Sequence, residues 1–101
     1  MKASAPAGDP FEALGNPYRR RIVELLVRKP RSVQEIADRL PISRPAVSRH
    51  LSVLNRAGLV SDEQVGTRRM YRLERQHMIR VWNDAATRFK LFAENTKPGE
   101  R

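Results

Sequence analysis

A pair of short amphipathic segments interrupted at Pro41 constrains the fold of this chain more than any other sequence feature. The first segment opens at Ser32 with a glutamate three residues later, the spacing at which two side chains cap each other's backbone amides at a helix start. The second opens at Ser43 and ends at Gly58, with apolar residues at helical spacing: Val47, Leu51 and Leu54. We therefore predict a helix through Leu40, a tight turn and a second helix, which together form a helix-turn-helix.

Two further helix starts lie upstream of this motif. Asp9-Pro10 and Asn16-Pro17 each combine an N-cap side chain with a proline at the first helical position, where its missing N–H is not needed. The second of these helices is expected to run to about Arg28, because a Lys-Pro pair follows. Its apolar face consists of Ile22, Val23, Leu25 and Leu26.

The hydrophobic period changes from helical to two after Leu59, which is typical of β-strands. With Val65-Gly66 as the turn, the segment through Leu73 is predicted to be a β-hairpin, the wing of the fold. In this register three cross-strand pairs are favourable in packing or charge: Val60 with Tyr71, Asp62 with Arg69, and Glu63 with Arg68.

A last helix is expected over residues 76–94, and its apolar residues alternate spacings of four and three, the pattern of a helix that packs on another helix. They are Met78, Trp82, Ala85, Phe89 and Phe92. Because so small a domain cannot bury this seam by itself, we expect a second copy of the chain to cover it, although such a stripe can also line a ligand pocket. The expected fold is mainly α with a β-hairpin wing: a dimeric winged helix-turn-helix of five helices over 9–95, with flexible tails at 1–8 and 96–101.

Charge and composition indicate the class of partner and exclude several chemistries. The chain carries 20 Lys and Arg against 11 Asp and Glu, a net charge of +9, and a net seven of these charges lie between residues 17 and 60. The absence of cysteine excludes disulfides, thiolate metal sites and cysteine nucleophiles. No apolar run is long enough for export or a membrane span, no motif resembles an active site, and no cofactor is expected. We therefore expect a non-enzymatic, cytoplasmic protein that is located at the nucleoid and has a polyanionic partner.

Burial of the apolar face of the second motif helix turns its N-terminal polar residues outward, at the end that enters the major groove in such motifs. Arg44 and Arg49 can each donate forked hydrogen bonds to guanine, and Ser48 can bond a base or a phosphate. In the wing, Arg68 and Arg69 follow the turn and can reach the minor groove or its phosphates. The predicted DNA-contact residues are Ser43, Arg44, Pro45, Ser48, Arg49, His50, Thr67, Arg68 and Arg69.

Several of these residues have a second interpretation that involves no DNA. His50 can equally be a structural histidine at the helix edge. The two wing arginines can pair across the hairpin with Glu63 and Asp62. The run Arg19-Arg20-Arg21 is typical of a solvated face, although one of its first two residues can reach a phosphate. These alternatives remain open at the level of sequence.

The stretch from Ser43 to Val60 resembles the arsenic-repressor-like (ArsR) family of winged helix-turn-helix regulators. The resemblance rests on a Val-Ser-x-His-Leu run, a Leu-x-x-Ala-Gly-Leu-Val ending and a Gly-Thr-Arg-Arg-x-Tyr-x-Leu wing, and it extends over about residues 9–94, including the opening at Asn16-Pro17. It implies a homodimer formed by the first and last helices. It also implies a palindromic operator on double-stranded DNA and, often, repression of the regulator's own operon.

The chain departs from the metal sensors of that family. Members that sense arsenic, cadmium or lead carry cysteines on the helix before the recognition helix, where this chain has Ser32 and Gln34. Zinc and nickel sensors place Asp and His ligands along the last helix, which here holds Asp84, Glu94 and, near its start, only His77. The resemblance is therefore to the subset of the family that senses no metal, and no metal ligand is expected.

These observations lead to the hypothesis of a sequence-specific transcriptional repressor that binds as a homodimer and acts by occupying its operator. A sequence-tolerant nucleoid or RNA-binding protein would instead use the same basic surface only electrostatically. A third possibility is a winged helix that has lost DNA binding and serves protein interaction. The outward placement expected for Arg44, Ser48 and Arg49 argues against it.

Overall fold

The computed structural model describes residues 7–96, with side chains through residue 88. Within this range the chain forms five helices and three strands. In chain order they are α1 (Pro10–Ala13), α2 (Pro17–Arg28), β1 (Arg31–Ser32), α3 (Val33–Ala37), α4 (Arg44–Arg56), β2 (Val60–Val65), β3 (Arg68–Leu73) and α5 (Arg75–Thr96). The predicted class, mainly α with a β-hairpin wing, is confirmed. The predicted tails fall outside the described residues, except at positions 7, 8 and 96.

Capping side chains begin the first two helices where the sequence predicts. Asp9 begins α1, and its carboxylate accepts a hydrogen bond from the Phe11 amide at 2.9 Å. Asn16 begins α2 by accepting from the amides of Tyr18 and Arg19 at 2.8 and 3.2 Å. Each cap satisfies amides that have no partner inside the helix, so local chemistry is sufficient to place both helix starts.

The capping box predicted at the start of α3 is present. The Glu35 amide donates to Ser32 Oγ at 3.2 Å, and the Ser32 amide donates to Glu35 Oε1 at 2.8 Å. The prediction that this helix runs through Leu40 is wrong, because α3 ends at Ala37 and the chain continues in tighter hydrogen bonds that span three residues. Pro41 disfavours helical backbone at the residue before it, and the tighter turn still buries Leu40 in the core.

Helix α4 buries one face and ends where the sequence predicts. Gly58 follows it with a φ of 78°, a left-handed conformation that glycine adopts without strain. The buried face packs in one apolar core with residues of α2 and α3. The fully buried large side chains of these three helices are Ile22, Leu26, Ile36, Val47, Leu51 and Leu54. Helices α3 and α4 therefore form the predicted helix-turn-helix.

The hairpin forms, but the predicted register is wrong. The turn residues are Gly66-Thr67, so that Val65 pairs with Arg68, and Asp62 stands opposite Tyr71 instead of Arg69. The physical reason is the φ of 63° at Gly66, the first central residue of the turn. The predicted turn would impose such a left-handed conformation on Val65, whose β-branched side chain disfavours it.

A third strand, β1, was not predicted from the sequence. Arg31 and Ser32 pair with Tyr71 and Met70, which gives a three-stranded antiparallel sheet in the order β1-β3-β2. Two residues are too few for a periodicity signal, and their partner strand lies far along the chain. The strand links the start of α3 to the wing. Arg31 is buried there, and its Nε donates to the Leu25 carbonyl at 3.1 Å.

Helix α5 begins beside the C-terminal end of α2. Arg75 Nη2 donates to the Val27 carbonyl at 2.6 Å, and Met78 packs against the edge of the core. The helix starts at Arg75 and ends at Thr96, within two residues of the predicted limits. No helix within residues 7–96 is long and apolar enough to cross a membrane.

Candidate nucleic-acid interface

The N-terminal half of α4 presents a polar surface above the core. Ser43 caps the helix by accepting a hydrogen bond from the Ala46 amide at 3.2 Å. Complete burial of Val47 turns the opposite face outward, as the helical period requires. Pro45 and Arg49 are exposed on that face, and Arg44 and Ser48 are exposed on its flank. The structure therefore brings this part of the predicted contact set together at the start of one helix.

Among the described residues, the two arginines of this surface have no ion-pair partner. Within the described part of the chain, neither Arg44 nor Arg49 has a carboxylate within ion-pair distance. A guanidinium presents parallel donors that match the O6 and N7 atoms of guanine or two phosphate oxygens. A nucleic acid can therefore reach both groups without displacing a carboxylate.

His50 follows this surface and lies half-buried against α2. Arg19 Nη1 is 3.2 Å from His50 Nδ1, and the rings of Tyr18 and His50 lie 6.1 Å apart. Partial burial lowers the pKa of His50 below its ordinary value of 6.5, and Arg19 and Arg49 lower this pKa further. The imidazole is therefore neutral at neutral pH. Its structural contact with α2 is present, while its contact with DNA stays a prediction.

Thr67 and Arg69 stand on the wing in different settings. Thr67 is exposed in the turn. Arg69 Nη1 lies 2.6 Å from Asp62 Oδ2, so the predicted ion pair forms, although it is diagonal because Asp62 stands opposite Tyr71. Asp62 also accepts from Asn55 Nδ2 on α4 at 3.0 Å. Arg69 is therefore held by a carboxylate that itself is anchored to the recognition helix.

Arg68 does not pair with Glu63, which corrects the predicted pairing. Its Nη2 donates to Ser32 Oγ at 3.1 Å and lies 3.7 Å from Glu35 Oε2, so it connects the wing to α3. Glu63 pairs instead with Arg72 at 2.6 Å, as the shifted register allows. The hydrogen bond from the Ser32 amide is the main cause that holds the pKa of Glu35 below its ordinary value, and Arg68 lowers this pKa further.

A shallow groove joins α4 to the wing. It has a volume of about 230 Å³ and lies between the starts of α3 and α4 and the turn of the hairpin. Its lining residues are Ser32, Val33, Gln34, Arg44, Thr67, Arg68 and Arg69. Four of them belong to the predicted contact set, although they come from separate segments of the chain. The fold therefore merges two predicted contact regions into one basic surface.

The polar side chains that α3 contributes to this groove were not predicted as part of the interface. Ser32 accepts from Arg68, and Gln34 Nε2 donates to Asp38 Oδ1 at 2.6 Å. No local pattern marks them, because their proximity to the wing depends on the pairing of β1 with β3. Their position in the groove is a finding of the tertiary structure.

The arginine run at the start of α2 does not form a row that faces DNA. Arg19 Nε donates to the Ala13 carbonyl at 2.7 Å, and Arg20 Nη1 donates to the Leu14 carbonyl at 2.8 Å. Arg21 takes part in an exposed ion pair on its own helix. Two of the three side chains therefore satisfy carbonyls at the C-terminal end of α1, which have no partner inside that helix.

The residues at the thiolate positions of the metal sensors do not fit a soft metal ion. The Ser32 hydroxyl is buried and already engaged by a backbone amide and by Arg68, and Gln34 is hydrogen-bonded to a nearby carboxylate. On α5, Asp84 pairs with Arg88 at 3.0 Å. Among the described residues no three His, Cys, Asp or Glu side chains form a cluster that could hold a metal. That the chain works without a metal stays a prediction.

The predicted seam of α5 is only partly within the described side chains. Trp82 is 72% exposed, whereas Ala85 is half-buried and Met78 packs against the core. Ile79, which lies outside the predicted seam, is 55% exposed. The seam residues whose side chains lie outside the described part are Phe89 and Phe92. The dimer interface therefore stays a prediction.

Comparison of the sequence with known proteins finds regulators of transcription. A family model described as a helix-turn-helix domain matches residues 14–63. The HTH-type transcriptional regulator Rv2034 of Mycobacterium tuberculosis is 46% identical, over 76% of this chain and 78% of that protein. The HTH-type transcriptional repressor SmtB of Mycobacterium tuberculosis is 39% identical. That match covers 78% of this chain and 58% of SmtB.

Comparison of the fold with solved structures finds regulators of the same class. The crystal structure of the ArsR family transcriptional regulator RHA00566 matches with a TM-score of 0.72 and 27% sequence identity, and the match covers 81% of this chain and 90% of that one. Sequence and fold therefore point to DNA-binding regulators of transcription and not to enzymes. The chain belongs to the ArsR/SmtB family of winged helix-turn-helix transcriptional regulators.

Proposed function

We propose that the chain is a homodimeric transcriptional repressor that places two copies of α4 in successive major grooves of a palindromic operator. The observation that carries this proposal is the pair of exposed arginines on α4, Arg44 and Arg49, which have no carboxylate partner in the described part of the chain. Repression is favoured because the similar SmtB protein is named a repressor. Since a repressor acts on the chromosome, we place the protein at the cytoplasmic nucleoid.

Each residue of the surface has a role in this proposal. Arg44 and Arg49 read guanines, and Ser48 bonds a base or a phosphate between them. Ser43 and Pro45 form the first turn, which approaches the groove edge. On the wing, Thr67, Arg68 and Arg69 contact flanking phosphates or the minor groove, and occupancy of the site excludes the polymerase.

The apolar residues exposed on the terminal helices support a second copy of the chain as the cover of α5. Trp82 is 72% and Ile79 is 55% exposed on α5, and Phe11 on α1 is 49% exposed. Ile79 and Trp82 are three residues apart and lie on one side of α5, and large apolar side chains grouped on a surface usually mark an interface. In a two-fold dimer the recognition helices would lie about 34 to 36 Å apart, so that half-sites are about 10 base pairs apart.

Selection of bound sequences from random DNA duplexes tests the proposal. We expect a palindromic consensus with half-sites about one helical turn apart. The upstream region of the chain's own gene, added as a separate duplex, tests autoregulation. A bound pool without a consensus would contradict specific repression and would favour the sequence-tolerant nucleoid or RNA-binding alternative, which binds any polyanion through charge.

Substitution of Trp82 tests the dimer. Because this side chain is exposed in the single chain, W82E should leave the fold intact, yet it places a charge in the proposed interface. We expect a monomer in sedimentation at micromolar concentration and loss of most operator affinity. T87E is the matched control, since Thr87 is exposed on the opposite side of α5 and should change neither property. A W82E chain that dimerises normally would refute this interface.

A further inference from the structure

Arg19 connects three elements behind the exposed half of the recognition helix. Its Nε donates to the Ala13 carbonyl of α1 at 2.7 Å, and its Nη1 lies 3.2 Å from Nδ1 of His50 on α4. The guanidinium is planar, so anchoring Nε on a carbonyl also restricts the direction of Nη1. Tyr18 lies beside the same imidazole, with the two rings inclined by 33°. The His50 ring is therefore held from the α2 side.

The Arg19 contact determines which nitrogen of His50 carries the proton. A guanidinium has donors and no acceptor, so Nδ1 can take part only with a lone pair. The neutral ring must then carry its proton on Nε2. His50 Nε2 has no hydrogen-bond partner among the described residues. It is not buried either, because it is absent from the buried polar atoms that lack a partner. An N–H donor is therefore presented to solvent next to Arg49, on the polar half of α4.

We propose that Arg19 is a positioning residue for DNA binding, which locks His50 in the Nε2–H tautomer so that this N–H donates to a phosphate of the DNA backbone. The inference rests on the proposed role of α4 as the recognition helix. A ring without this contact can also place a lone pair toward the phosphate, and a lone pair repels an anion. Arg19 thus acts through His50 and does not itself touch the DNA.

The charges around the imidazole agree with a neutral donor. Arg19 faces it from α2 and Arg49 from α4, and both oppose a positive charge on His50. On the α1 side, Asp9 and Glu12 line the same cavity of about 350 Å³ as Arg19, but neither forms an ion pair with Arg19. Among the described residues the contact of Nη1 with the ring is therefore not in competition with an ion pair to Asp9 or Glu12.

Nitrogen-15 NMR of the imidazole in the wild-type protein tests the tautomer without any substitution or DNA. We expect Nε2 to resonate as a protonated nitrogen and Nδ1 as an unprotonated one at neutral pH. A ring with its proton on Nδ1, or a rapidly exchanging mixture of both tautomers, would overturn the proposal.

Substitution of Arg19 tests the consequence for DNA. R19M should weaken operator binding by about ten-fold, the size of one hydrogen bond to a charged group, and should give a mixed tautomer. R20M is the matched control, because Arg20 has the same charge and donates to the carbonyl of Leu14, the residue that follows α1, but has no hydrogen bond with His50. We expect R20M to change operator affinity by less than about two-fold. If R19M fails to fold by circular dichroism, R19K replaces it, since lysine cannot hold both partners.

A double-mutant cycle with H50A separates positioning from direct contact. In the H50A background, R19M should have no further effect on operator affinity, because the group through which it acts is gone. An equal loss in both backgrounds would show that Arg19 contacts DNA itself and would refute the proposal. If the wild type binds the operator specifically and R19M binds it equally well, only this inference is refuted. If the wild type shows no specific binding, the proposed function is refuted.

Discussion

The recognition helix and the wing carry the same residue type in opposite electrostatic settings. Arg44 and Arg49 of α4 have no carboxylate nearby in the described part of the chain, whereas the three arginines of β3 each lie within 3.7 Å of one. The difference follows from the elements themselves. One face of α4 packs in the core, and the arginines of its exposed N-terminal half have no acidic neighbour within ion-pair distance among the described residues. Strand β3 lies between β1 and β2, and its arginines lie beside acidic side chains of β2 and α3. An exposed arginine is therefore not always an available one.

From the sequence alone, the arginines of α4 and those of the wing look equally available to DNA. Their different ion pairing indicates unequal roles. DNA that approaches the wing has to replace Asp62 at Arg69 and Glu35 at Arg68. Exposed ion pairs contribute less than about 1 kcal/mol, so phosphate can replace them, but part of the gain is lost. We therefore expect α4 to provide most of the sequence specificity and the wing to add a smaller, general affinity.

The largest expected effect is on α4. R44A and R49A should each weaken operator binding by about 1 to 3 kcal/mol, or about 5- to 150-fold, and relax the preference at one symmetric base position. Fluorescence anisotropy with operator and random duplexes measures both. R56A is the control, because Arg56 is exposed at the other end of the same helix. Equal losses on operator and random DNA would mean that these arginines do not read bases.

A smaller effect is expected on the wing. R68A and R69A should each weaken binding by about three-fold and to the same extent for operator and random duplexes, because phosphate contacts carry no sequence information. The same anisotropy titrations measure this loss, and R72A, at the base of the wing, should have less effect. If R69A behaved like R44A, the contrast between the two surfaces would be wrong.

Removing the α3 carboxylate that pairs with the wing should strengthen binding. E35Q preserves the capping box, since glutamine also accepts at this position, but it abolishes the negative charge next to Arg68. We expect affinity for any duplex to rise by about two-fold, and by more at low salt, where charges are less screened. D38N removes a charge from the same region without an ion pair to the wing. Equal gains in both variants would show that the contact with Arg68 is irrelevant.

The smallest expected effect is on stability in acid. His50 on α4 and Glu35, which pairs with the wing, contribute to it in different pH ranges. The folded pKa of His50 is lowered, so below pH 6.5 the unfolded chain takes up this proton first and the free energy of unfolding falls. The lowered pKa of Glu35 stabilises the fold above pH 4.5, and this contribution is lost as pH falls below that value.

Thermal and urea unfolding of wild type and H50Q between pH 7 and pH 4 measure these contributions. We expect H50Q to lack the decline that begins below pH 6.5 and to keep the one below pH 4.5. A decline that is identical in both chains would mean that His50 does not titrate with a lowered pKa in the folded state.

Local signals in the sequence determined where most helices begin and which face of α4 is exposed. Asp9, Asn16, Ser32 and Ser43 all cap helices as predicted, because a cap acts on amides only two or three residues away. The period of Val47, Leu51 and Leu54 determined the outward position of Arg44 and Arg49 for the same reason, since rotation along a helix is a local property. The position of the hairpin was also predictable, and its register would have followed from placing Gly66 first in the turn.

Only the tertiary structure decided which of these residues meet. Four features join elements that are separate in the chain. They are the pairing of β1 with β3, the groove between α3 and the wing, the pairing of Arg68 with Ser32 and Glu35, and the contact of Arg19 with His50. Arg68 and Ser32 are 36 residues apart, and Arg19 and His50 are 31 apart. Capping and periodicity act over a few residues and carry no information on such distances, which depend on how the core packs the helices against the sheet. Sequence therefore yielded a set of predicted DNA contacts, and packing decided which of these side chains have a carboxylate partner among the described residues.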